Sequence, residues 1–297
     1  MEPVIRTCDL TKHYGRVVGL ESLDLEVPHG VVFGCLGPNG AGKTTTIRLL
    51  VGLMRPTTGR AEVLGIDPAH RPEEVQGRVG YLPGDFTAYP DMTGGQYLRY
   101  LGNLRGGVDD KSVTLLSKRL ELDLSRRIGT LSHGNRQKVG IVQAFMHDPE
   151  VLILDEPTSG LDPLMQREFL ALVREAREAG RTVLLSSHIL SEVEAIADLV
   201  GILRQGRLVV VDSVEHLRSK ALRRIDLVFA DAPPAAVLAE VPGVREVAID
   251  GTTAQLVVEG STADLIAALA PYRVDDVISH EADLEEVFLS YYGNQEG

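Results

Sequence analysis

The chain is poor in cysteine and has no long apolar run, and each absence excludes a class of protein. Its 297 residues include two cysteines, Cys8 and Cys35, with no CxxC pair and no metal-ligand spacing. A disulfide scaffold is therefore excluded, and both cysteines are expected to be small buried side chains of a reduced, cytosolic protein. No stretch approaches the roughly 18–20 apolar residues that a membrane span needs. Met1-Glu2-Pro3 begins neither a basic segment nor an apolar one, so no signal peptide is expected.

A positive net charge is also absent. The chain has 30 Lys and Arg against 42 Asp and Glu, which gives a formal net charge of −12. This balance argues against nucleic acid as the main partner, although it leaves room for a local basic patch. The hydrophobic content of 44% and the charged content of 24% are typical of soluble proteins. The length allows one large or two ordinary domains.

The sequence does contain a complete G-x-x-x-x-G-K-[ST] phosphate loop at 37–44. Its residues are Gly37, Pro38, Asn39, Gly40, Ala41, Gly42, Lys43 and Thr44, followed by Thr45. An apolar run at 31–36 precedes it and a helix is predicted at 45–51, which is the strand, turn and helix context of this motif. Backbone N–H groups of such a loop surround phosphates, Lys43 reaches the β- and γ-phosphates, and the Thr44 hydroxyl ligates Mg²⁺. The chain is therefore predicted to bind a nucleoside triphosphate.

The pattern of apolar residues predicts an α/β fold. Apolar and polar residues alternate in the first 30 residues, which indicates half-buried, antiparallel strands. From about 91 to 148 the spacing of the apolar residues becomes typical of helices. Further on, continuous apolar strands alternate with helices, which indicates a mostly parallel sheet. Ser191 followed by Glu194 predicts a capping box at the start of a helix, and 204–207 predicts a hairpin turn. The other predicted elements are helices at 92–104, 113–124 and 164–179, with strands at 151–154 and 182–187.

The character of the chain changes beyond about Lys220, where short strands and helices predict a small, separate α/β domain. The order is similar to the β-α-β-β-α-β order of a ferredoxin-like unit. No catalytic group is recognised there, and the fold analogy alone favours a docking or dimerisation module. We therefore predict domains at 1–218 and 219–297. The predicted elements are strands at 225–229, 244–249 and 255–258, with helices at 234–241, 262–269 and 283–292.

Polar residues follow two of the apolar strands. Asp155 and Glu156 end the strand at 151–154, and buried carboxylates need a cation, a proton or hydrogen bonds. In a phosphate-loop protein, Asp155 is predicted to hold Mg²⁺ through water and Glu156 to polarise the water that attacks the γ-phosphate. His188 follows the strand at 182–187 and is predicted to donate a hydrogen bond to a γ-phosphate oxygen. The alternatives are a solvated acidic pair and an ordinary loop histidine.

A run at 131–138 completes a set of ordered motifs. The run is Leu131-Ser132-His133-Gly134-Asn135-Arg136-Gln137-Lys138. Together with the phosphate loop, Asp155-Glu156, the segment 159–162 and His188, it resembles the ATP-binding cassette family over about residues 3–218. The chain looks like the nucleotide-binding subunit of an ABC transporter. The run is similar to the family signature Leu-Ser-Gly-Gly-Gln, with His133 in place of the first glycine and Asn135 in place of the glutamine.

The resemblance implies a P-loop NTPase core with antiparallel β and helical subdomains, the latter at about 87–147. It also implies a head-to-tail dimer around two ATP molecules, in which Ser132 and Gly134 face the γ-phosphate of the opposite subunit. Asp162 resembles the aspartate that touches the partner, and Tyr14 resembles the aromatic residue that stacks on adenine. Ser132 fits equally well as the N-cap of the following helix.

One position departs from the family. Gly84 stands where the family carries a glutamine that contacts Mg²⁺ and the attacking water. Asp85, one residue further on, could supply an oxygen ligand instead, and the alternative is a plain surface turn.

The function implied is an ATPase, with ATP and Mg²⁺ as cofactors, that drives a separate transmembrane permease. It would pair with a second copy or a paralogue, in the cytoplasm at the inner face of the membrane, and no nucleic acid is expected to bind. The variant signature and the tail at 283–292 resemble bacterial exporters in the multidrug or antibiotic-resistance group. The alternatives are a soluble cassette ATPase acting in DNA repair or on ribosomes, and a regulatory ATP sensor.

Overall fold

A computed structural model describes residues 2–220 and 222–280, so the helix predicted at 283–292 lies outside the described residues. The chain divides into two compact units, Met1–Val211 and Asp212–Gly297. The division falls inside a strand, Arg207–Ser213, a little before the domain boundary proposed from the sequence at 218–219.

An antiparallel sheet of three strands opens the first unit. Its strands are β1 (Ile5–Tyr14), β2 (Val17–Val27) and β4 (Thr58–Val63), in the order β2-β1-β4. In β2, Leu23, Leu25 and Val27 are buried while Asp24 and Glu26 are exposed, so only one face of the strand meets the core. The prediction of half-buried antiparallel strands is confirmed.

A six-stranded sheet forms the centre of the first unit, in the order β5-β6-β7-β3-β8-β9. The pairs β5-β6, β6-β7, β7-β3 and β3-β8 are parallel, and every residue of β3, β6 and β7 is buried. Complete burial is expected of a sheet covered on both faces, and the predicted parallel core is confirmed. Its strands are β3 (Val32–Leu36), β5 (Val79–Leu82), β6 (Val151–Asp155), β7 (Thr182–Ser187), β8 (Leu199–Arg204) and β9 (Arg207–Ser213).

Within the described residues of the first unit, seven α-helices connect the strands of these sheets. They are α1 (Lys43–Leu50), α2 (Pro72–Arg78), α3 (Gly94–Leu104), α4 (Asp110–Arg119), α5 (His133–Phe145), α6 (Pro163–Glu178) and α7 (Leu190–Glu194). A short 3-10 helix, Ile128–Thr130, precedes α5. The helices α3 to α5 form the helical segment that was predicted between the phosphate loop and β6. Thr93 begins α3 through a complete capping box with Gln96.

Two predicted features of the helices are wrong. The helix predicted at 113–124 is α4, which ends at Arg119 because Glu121 takes a left-handed φ of 50°. The N–H of Leu122 then donates to the Ser117 carbonyl at 2.9 Å and closes the helix end. The capping box predicted at Ser191 and Glu194 is absent, since both residues lie inside α7 and the helix has no side-chain cap.

The second unit contains a four-stranded antiparallel sheet in the order β11-β12-β10-β13. Alternate residues of β10, Ile225, Leu227 and Phe229, are buried, so one face of the sheet carries the core of this unit. The elements follow the predicted β-α-β-β-α-β order, but the fourth strand was missing from the sequence-based assignment. They are α8 (Val214–Lys220), β10 (Leu222–Phe229), α9 (Ala235–Glu240), β11 (Val244–Asp250), β12 (Thr253–Glu259), α10 (Ala263–Leu269) and β13 (Val274–Ser279).

Candidate nucleotide-binding site

Four adjacent parallel strands end at one edge of the central sheet, and the predicted site residues follow them. The phosphate loop follows β3, Glu156 follows β6, His188 follows β7 and Asp85 lies shortly after β5. In the register of the sheet, Leu36 at the end of β3 pairs with Ser187 of β7. Ligand sites in such sheets lie at the carboxyl ends of the strands, so the topology brings these residues together.

The phosphate loop depends on glycine at both of its ends. A Cβ on Gly37 would lie 2.5 Å from the Leu203 carbonyl oxygen, so no side chain fits there. Gly42 has a φ of 110° and its Cβ would lie 2.9 Å from the Gly19 carbonyl oxygen. Alanine at either position would therefore push the loop away from β8 or β2 and distort the start of α1.

Lys43, the first residue of α1, is buried and its ammonium group lies within the loop. Nζ donates hydrogen bonds to the carbonyl oxygens of Gly37 at 2.6 Å and Pro38 at 3.3 Å. It also lies 3.3 Å from Oε1 of Glu156. A buried ammonium needs such partners, and phosphate oxygens are stronger acceptors than the two carbonyls. Lys43 is therefore positioned to transfer its hydrogen bonds to a phosphate.

Glu156 joins the phosphate loop to His188. Its Oε2 lies 2.7 Å from Nδ1 of His188, while its other carboxylate oxygen faces Lys43. The backbone of Glu156 has a left-handed φ of 47°, which costs about 1 kcal/mol in a residue with a Cβ. Strained backbone of this kind is common at functional sites, and here it places a carboxylate between two basic side chains.

Asp155 and Glu156 share a partner that the sequence analysis missed. The Ser186 hydroxyl donates to Oδ1 of Asp155 at 2.6 Å and accepts the N–H of Glu156 at 2.9 Å. Asp155 is only 2% exposed and Ser186 is fully buried. The serine thus offsets part of the desolvation of a buried carboxylate and fixes the adjoining peptide. This role follows from the register of β6 and β7, in which Asp155 pairs with Ser186. The two residues are far apart in sequence, so no local sequence pattern indicates it.

Most of the predicted site residues, though not Gly37, line one cleft of about 620 Å³. They include Tyr14, Pro38, Asn39, Gly40, Ala41, Gly42, Lys43, Thr44, Thr45, Asp85, Asp155, Glu156 and His188. Sequence reasoning missed further lining residues, which are Val17, Val18, Gly19, Arg48 and Ser159. The apolar lining residues Val17 and Val18 lie close to Tyr14 in sequence. They are exposed residues of β2, and the sequence pattern does not indicate that they line a cleft.

Tyr14 is 45% exposed at the edge of the cleft and is held from several sides. Its hydroxyl donates to Sδ of Met54 at 3.1 Å and lies 3.4 Å from Oγ1 of Thr45. The ammonium of Lys12 lies 5.6 Å from the ring centroid, a cation–π distance. A Cβ on Gly19 would lie 2.5 Å from the ring, so glycine is needed beside it. These contacts hold the ring in place at the edge of the cleft, where almost half of the residue stays exposed.

The cleft offers oxygen ligands to a hard cation. Thr44, Asp85 and Asp155 all line it, and a Cβ on Gly84 would lie 3.3 Å from Oδ2 of Asp155. Glycine at 84 thus brings the backbone close to the buried carboxylate. In the described part of the chain no three His, Cys, Asp or Glu side chains form a metal cluster. This donor set suits Mg²⁺, which takes one or two protein oxygens together with substrate phosphates.

Two further groups close to the cleft stay protonated. Burial, with the Asp155 carboxylate as a second cause, raises the pKa of Tyr81 to about 12. Burial likewise raises the pKa of the Cys35 thiol to about 12. Cys35 lies on β3 directly before the phosphate loop, and as a neutral thiol it is a packing residue, as the sequence predicted.

Ser132, Gly134 and Asp162 do not line the cleft of their own chain. Ser132 is the N-cap of α5, since its hydroxyl accepts the N–H of Asn135 at 3.3 Å. Asp162 is the N-cap of α6, since Oδ1 accepts the N–H groups of Leu164 and Met165, each at 3.1 Å. The alternative role proposed for Ser132 is therefore present. The contact of Ser132 and Gly134 with a nucleotide on the opposite subunit stays a prediction.

No helix within 2–220 or 222–280 is both long and apolar enough to cross a membrane.

Comparison with known sequences connects this geometry to one family. A sequence model described as ABC transporter matches residues 20–159. The bacitracin transport ATP-binding protein BcrA of Bacillus licheniformis is 36% identical over 245 residues, which cover 81% of this chain and 79% of the relative. The daunorubicin resistance ATP-binding protein DrrA2 of Streptomyces coeruleorubidus is 34% identical over 314 residues, covering 98% of this chain and 95% of the relative.

Solved structures agree. The ATP-binding subunit of an ABC transporter superposes with a TM-score of 0.67 at 32% identity, covering 72% of this chain and 92% of the other. A dimeric ATP-binding cassette in a post-hydrolysis state with ADP and Pi gives a TM-score of 0.66 at 20% identity, over 71% of this chain and 98% of the other. At 20% identity, the similarity to the second structure shows a shared fold alone.

Proposed function

Because the chain belongs to the ABC transporter family, as one of its ATP-binding subunits, we propose that it hydrolyses ATP in a head-to-tail dimer that drives a separate membrane permease. We assign the transporter to the export of drugs or other small hydrophobic compounds. The relatives named for bacitracin transport and daunorubicin resistance support this direction. The variant signature at 131–138 and the tail at 283–292 point the same way.

The observation that carries the proposal is the position of Glu156 between Lys43 and His188 in one cleft. Triphosphate oxygens compete with Glu156 and two loop carbonyls for the Lys43 ammonium. Once Lys43 turns to the β- and γ-phosphates, the Glu156 carboxylate is free to accept a proton from the attacking water. His188 remains hydrogen-bonded to Glu156 and donates to a γ-phosphate oxygen from its other nitrogen.

Thr44 and Asp155 would hold Mg²⁺, with Asp85 as a further oxygen donor in place of the glutamine usual in the family. Bound Mg²⁺ neutralises charge that develops on the phosphates during transfer. Tyr14 contributes base stacking, and the loop N–H groups at 37–44 with the start of α1 hold the phosphates.

A second chain completes each site in this proposal. Ser132 and Gly134 at the start of α5 contact the γ-phosphate held by the partner, and Asp162 contacts the partner itself. The partner is a second copy or a paralogue, and both lie in the cytoplasm, bound to the inner face of the membrane through the permease. The helical segment at about 87–147 transmits closure to the permease, and the domain at 219–297 is an accessory module.

The experiment is a tagged Glu156→Gln variant, purified with ATP and Mg²⁺ from detergent-solubilised membranes of the host, followed by identification of co-purifying proteins. Without the carboxylate, the closed dimer should persist and keep its partners attached. The matched control is Lys43→Ala in the same preparation, which lacks the phosphate contact. Size-exclusion chromatography of both variants with ATP measures the dimer directly.

We expect an ATP-dependent dimer of Glu156→Gln, no such dimer of Lys43→Ala, and a stoichiometric membrane protein with several spans. Co-purification of ribosomes or of soluble proteins alone would reject the transporter and favour a soluble cassette ATPase. A Glu156→Gln variant that stays monomeric with ATP would reject the head-to-tail dimer.

A further inference from the structure

The start of α5 contacts the loop that follows Glu156 in the same chain. The buried Gln137 donates from Nε2 to the carbonyl oxygens of Glu156 at 3.2 Å and Pro157 at 3.1 Å. One turn earlier, a Cβ on Gly134 would collide with the carbonyl oxygen of Gly160. The loop itself is closed by a hydrogen bond from the Ser159 N–H to the Glu156 carbonyl at 3.2 Å.

His133 adds a contact that a glycine at this position would lack. Its Nε2 lies 3.4 Å from Oγ of Ser159, a residue that lines the nucleotide cleft. Its ring lies against Gly160, so closely that a Cβ on that glycine would collide with the ring. Gly160 has a left-handed φ of 73°, which leaves its Cα bare toward the histidine.

We infer that His133 is a positioning residue that fixes the first turn of α5 against the loop 156–160, so that phosphate contact at α5 and the placement of Glu156 are coupled within one chain. The inference rests on the proposed function, because the phosphate at α5 is the one held by the second chain. It assigns a role to His133, one of the two residues by which the run at 131–138 departs from the family signature.

The coupling follows from the packing. His133, Ser159 and Gly160 are exposed, so the His133 contact acts through direct steric contact of the ring with the Gly160 backbone. The contact that Gln137 makes with the same loop is buried, where close packing transmits small displacements. Movement of the α5 start toward a phosphate displaces the His133 ring, which contacts Ser159 and Gly160. Those residues lie three and four positions after Glu156 in the same hydrogen-bonded loop. Gln137 donates to the carbonyl oxygens of Glu156 and Pro157 at the start of that loop. The carboxylate position therefore follows the position of α5.

The test compares steady-state ATP hydrolysis by the full chain in four forms: wild type, His133→Gly, Gly160→Ala and the double variant. Alanine at 160 forces the His133 ring away, and we expect kcat to fall about tenfold with KM for ATP little changed, because a small misplacement of a catalytic group is costly. His133→Gly should lower kcat about threefold, also with KM unchanged. In the double variant the collision is gone, so its kcat should exceed that of Gly160→Ala alone.

Gly180→Ala is the matched control, since Gly180 also has a left-handed φ, of 82°, but has open space where a Cβ would lie. It measures the effect of alanine in this conformation without a collision, and its kcat should stay close to wild type. Equal kcat for Gly160→Ala and the double variant would overturn the inference, and so would an unchanged kcat in His133→Gly. A wild-type chain that does not hydrolyse ATP at all would instead contradict the proposed function, and the inference with it.

Discussion

Replacing Ser186 with alanine removes two hydrogen bonds beneath the hydrolytic site. The hydroxyl donates to Oδ1 of Asp155 at 2.6 Å and accepts the Glu156 N–H at 2.9 Å. Alanine leaves the rest of β7 unchanged and removes one oxygen atom. Both partners stay where they are, Asp155 with only 2% of its surface exposed, so water can reach them poorly.

The expected loss in the free energy of unfolding is about 3 kcal/mol. A hydrogen bond to a charged group contributes about 1.5–3 kcal/mol, and a backbone N–H left without an acceptor costs about 1–3 kcal/mol. The two losses share one atom and do not add fully, so the total lies near the upper end of either alone. Turnover should fall as well, because the peptide of Glu156 loses the contact that fixes it.

Urea unfolding of the full chain, followed by circular dichroism, measures the change in stability, and kcat and KM for ATP measure the change in chemistry. Thr114→Ala is the control, because Thr114 is exposed on α4 and its hydroxyl donates to the Asp110 carbonyl of the same helix at 2.8 Å, with no second partner among the described residues. The control should stay within about 0.5 kcal/mol of wild type. If Ser186→Ala also stayed within that range, the argument that this hydroxyl supports Asp155 and Glu156 would fail.

Three further predictions follow from single side chains. Asp85→Ala is expected to lower kcat about tenfold while ATP affinity changes little, because the carboxylate lines the same cleft as Thr44 and Asp155, the residues that would hold Mg²⁺; an unchanged kcat would exclude Asp85 as the substitute for glutamine. Tyr14→Ala should weaken ATP binding by about 1–3 kcal/mol in titration calorimetry, while Tyr14→Phe keeps most of the affinity, since stacking uses the ring; equal losses in both would show that the hydroxyl contacts dominate. Burial, with the Arg105 charge as a second cause, lowers the pKa of His147 from 6.5 to about 4. Between these two values the unfolded chain binds a proton that the folded chain does not. The free energy of unfolding should therefore decrease as the pH is lowered from about 6.5 to about 4. The expected decrease is about 1–2 kcal/mol after allowance for partial exposure of the ring. His147→Leu should show a shallower pH dependence in urea unfolding, and a slope equal to wild type would contradict this account.

The parts of the site that depend on neighbouring residues could be predicted from the sequence. The phosphate loop between an apolar run and a helix, and Asp155-Glu156 at the end of a buried strand, are local patterns. Parallel strands place their carboxyl ends at one edge, so even the approach of His188 to Glu156 followed from the order of elements.

The parts of the structure that depend on strand register or on packing could not be predicted from the sequence. Ser186 supports Asp155 because β6 and β7 pair in one particular register, and a serine at the end of an apolar strand gives no sign of this. The end of α4 is set by the left-handed conformation of Glu121, where the apolar pattern continues to Leu124. The contact of His133 with Gly160 joins two segments that are separated in sequence by β6.

The starts of α5 and α6 give an independent reason to expect a second chain at the site. The first turn of α5 contacts the loop before α6 through Gly134 and Gly160, and neither first turn carries an acidic side chain. Two positive helix ends that lie close together repel each other unless an anion lies near them. At α6 the carboxylate of the N-cap Asp162 offsets this positive charge. The α5 end has a neutral serine as its cap and does not line the cleft of its own chain. In the head-to-tail pair that we propose, one twofold rotation would place each α5 over the phosphates of the other chain, and the same rotation would offset this charge and complete both sites.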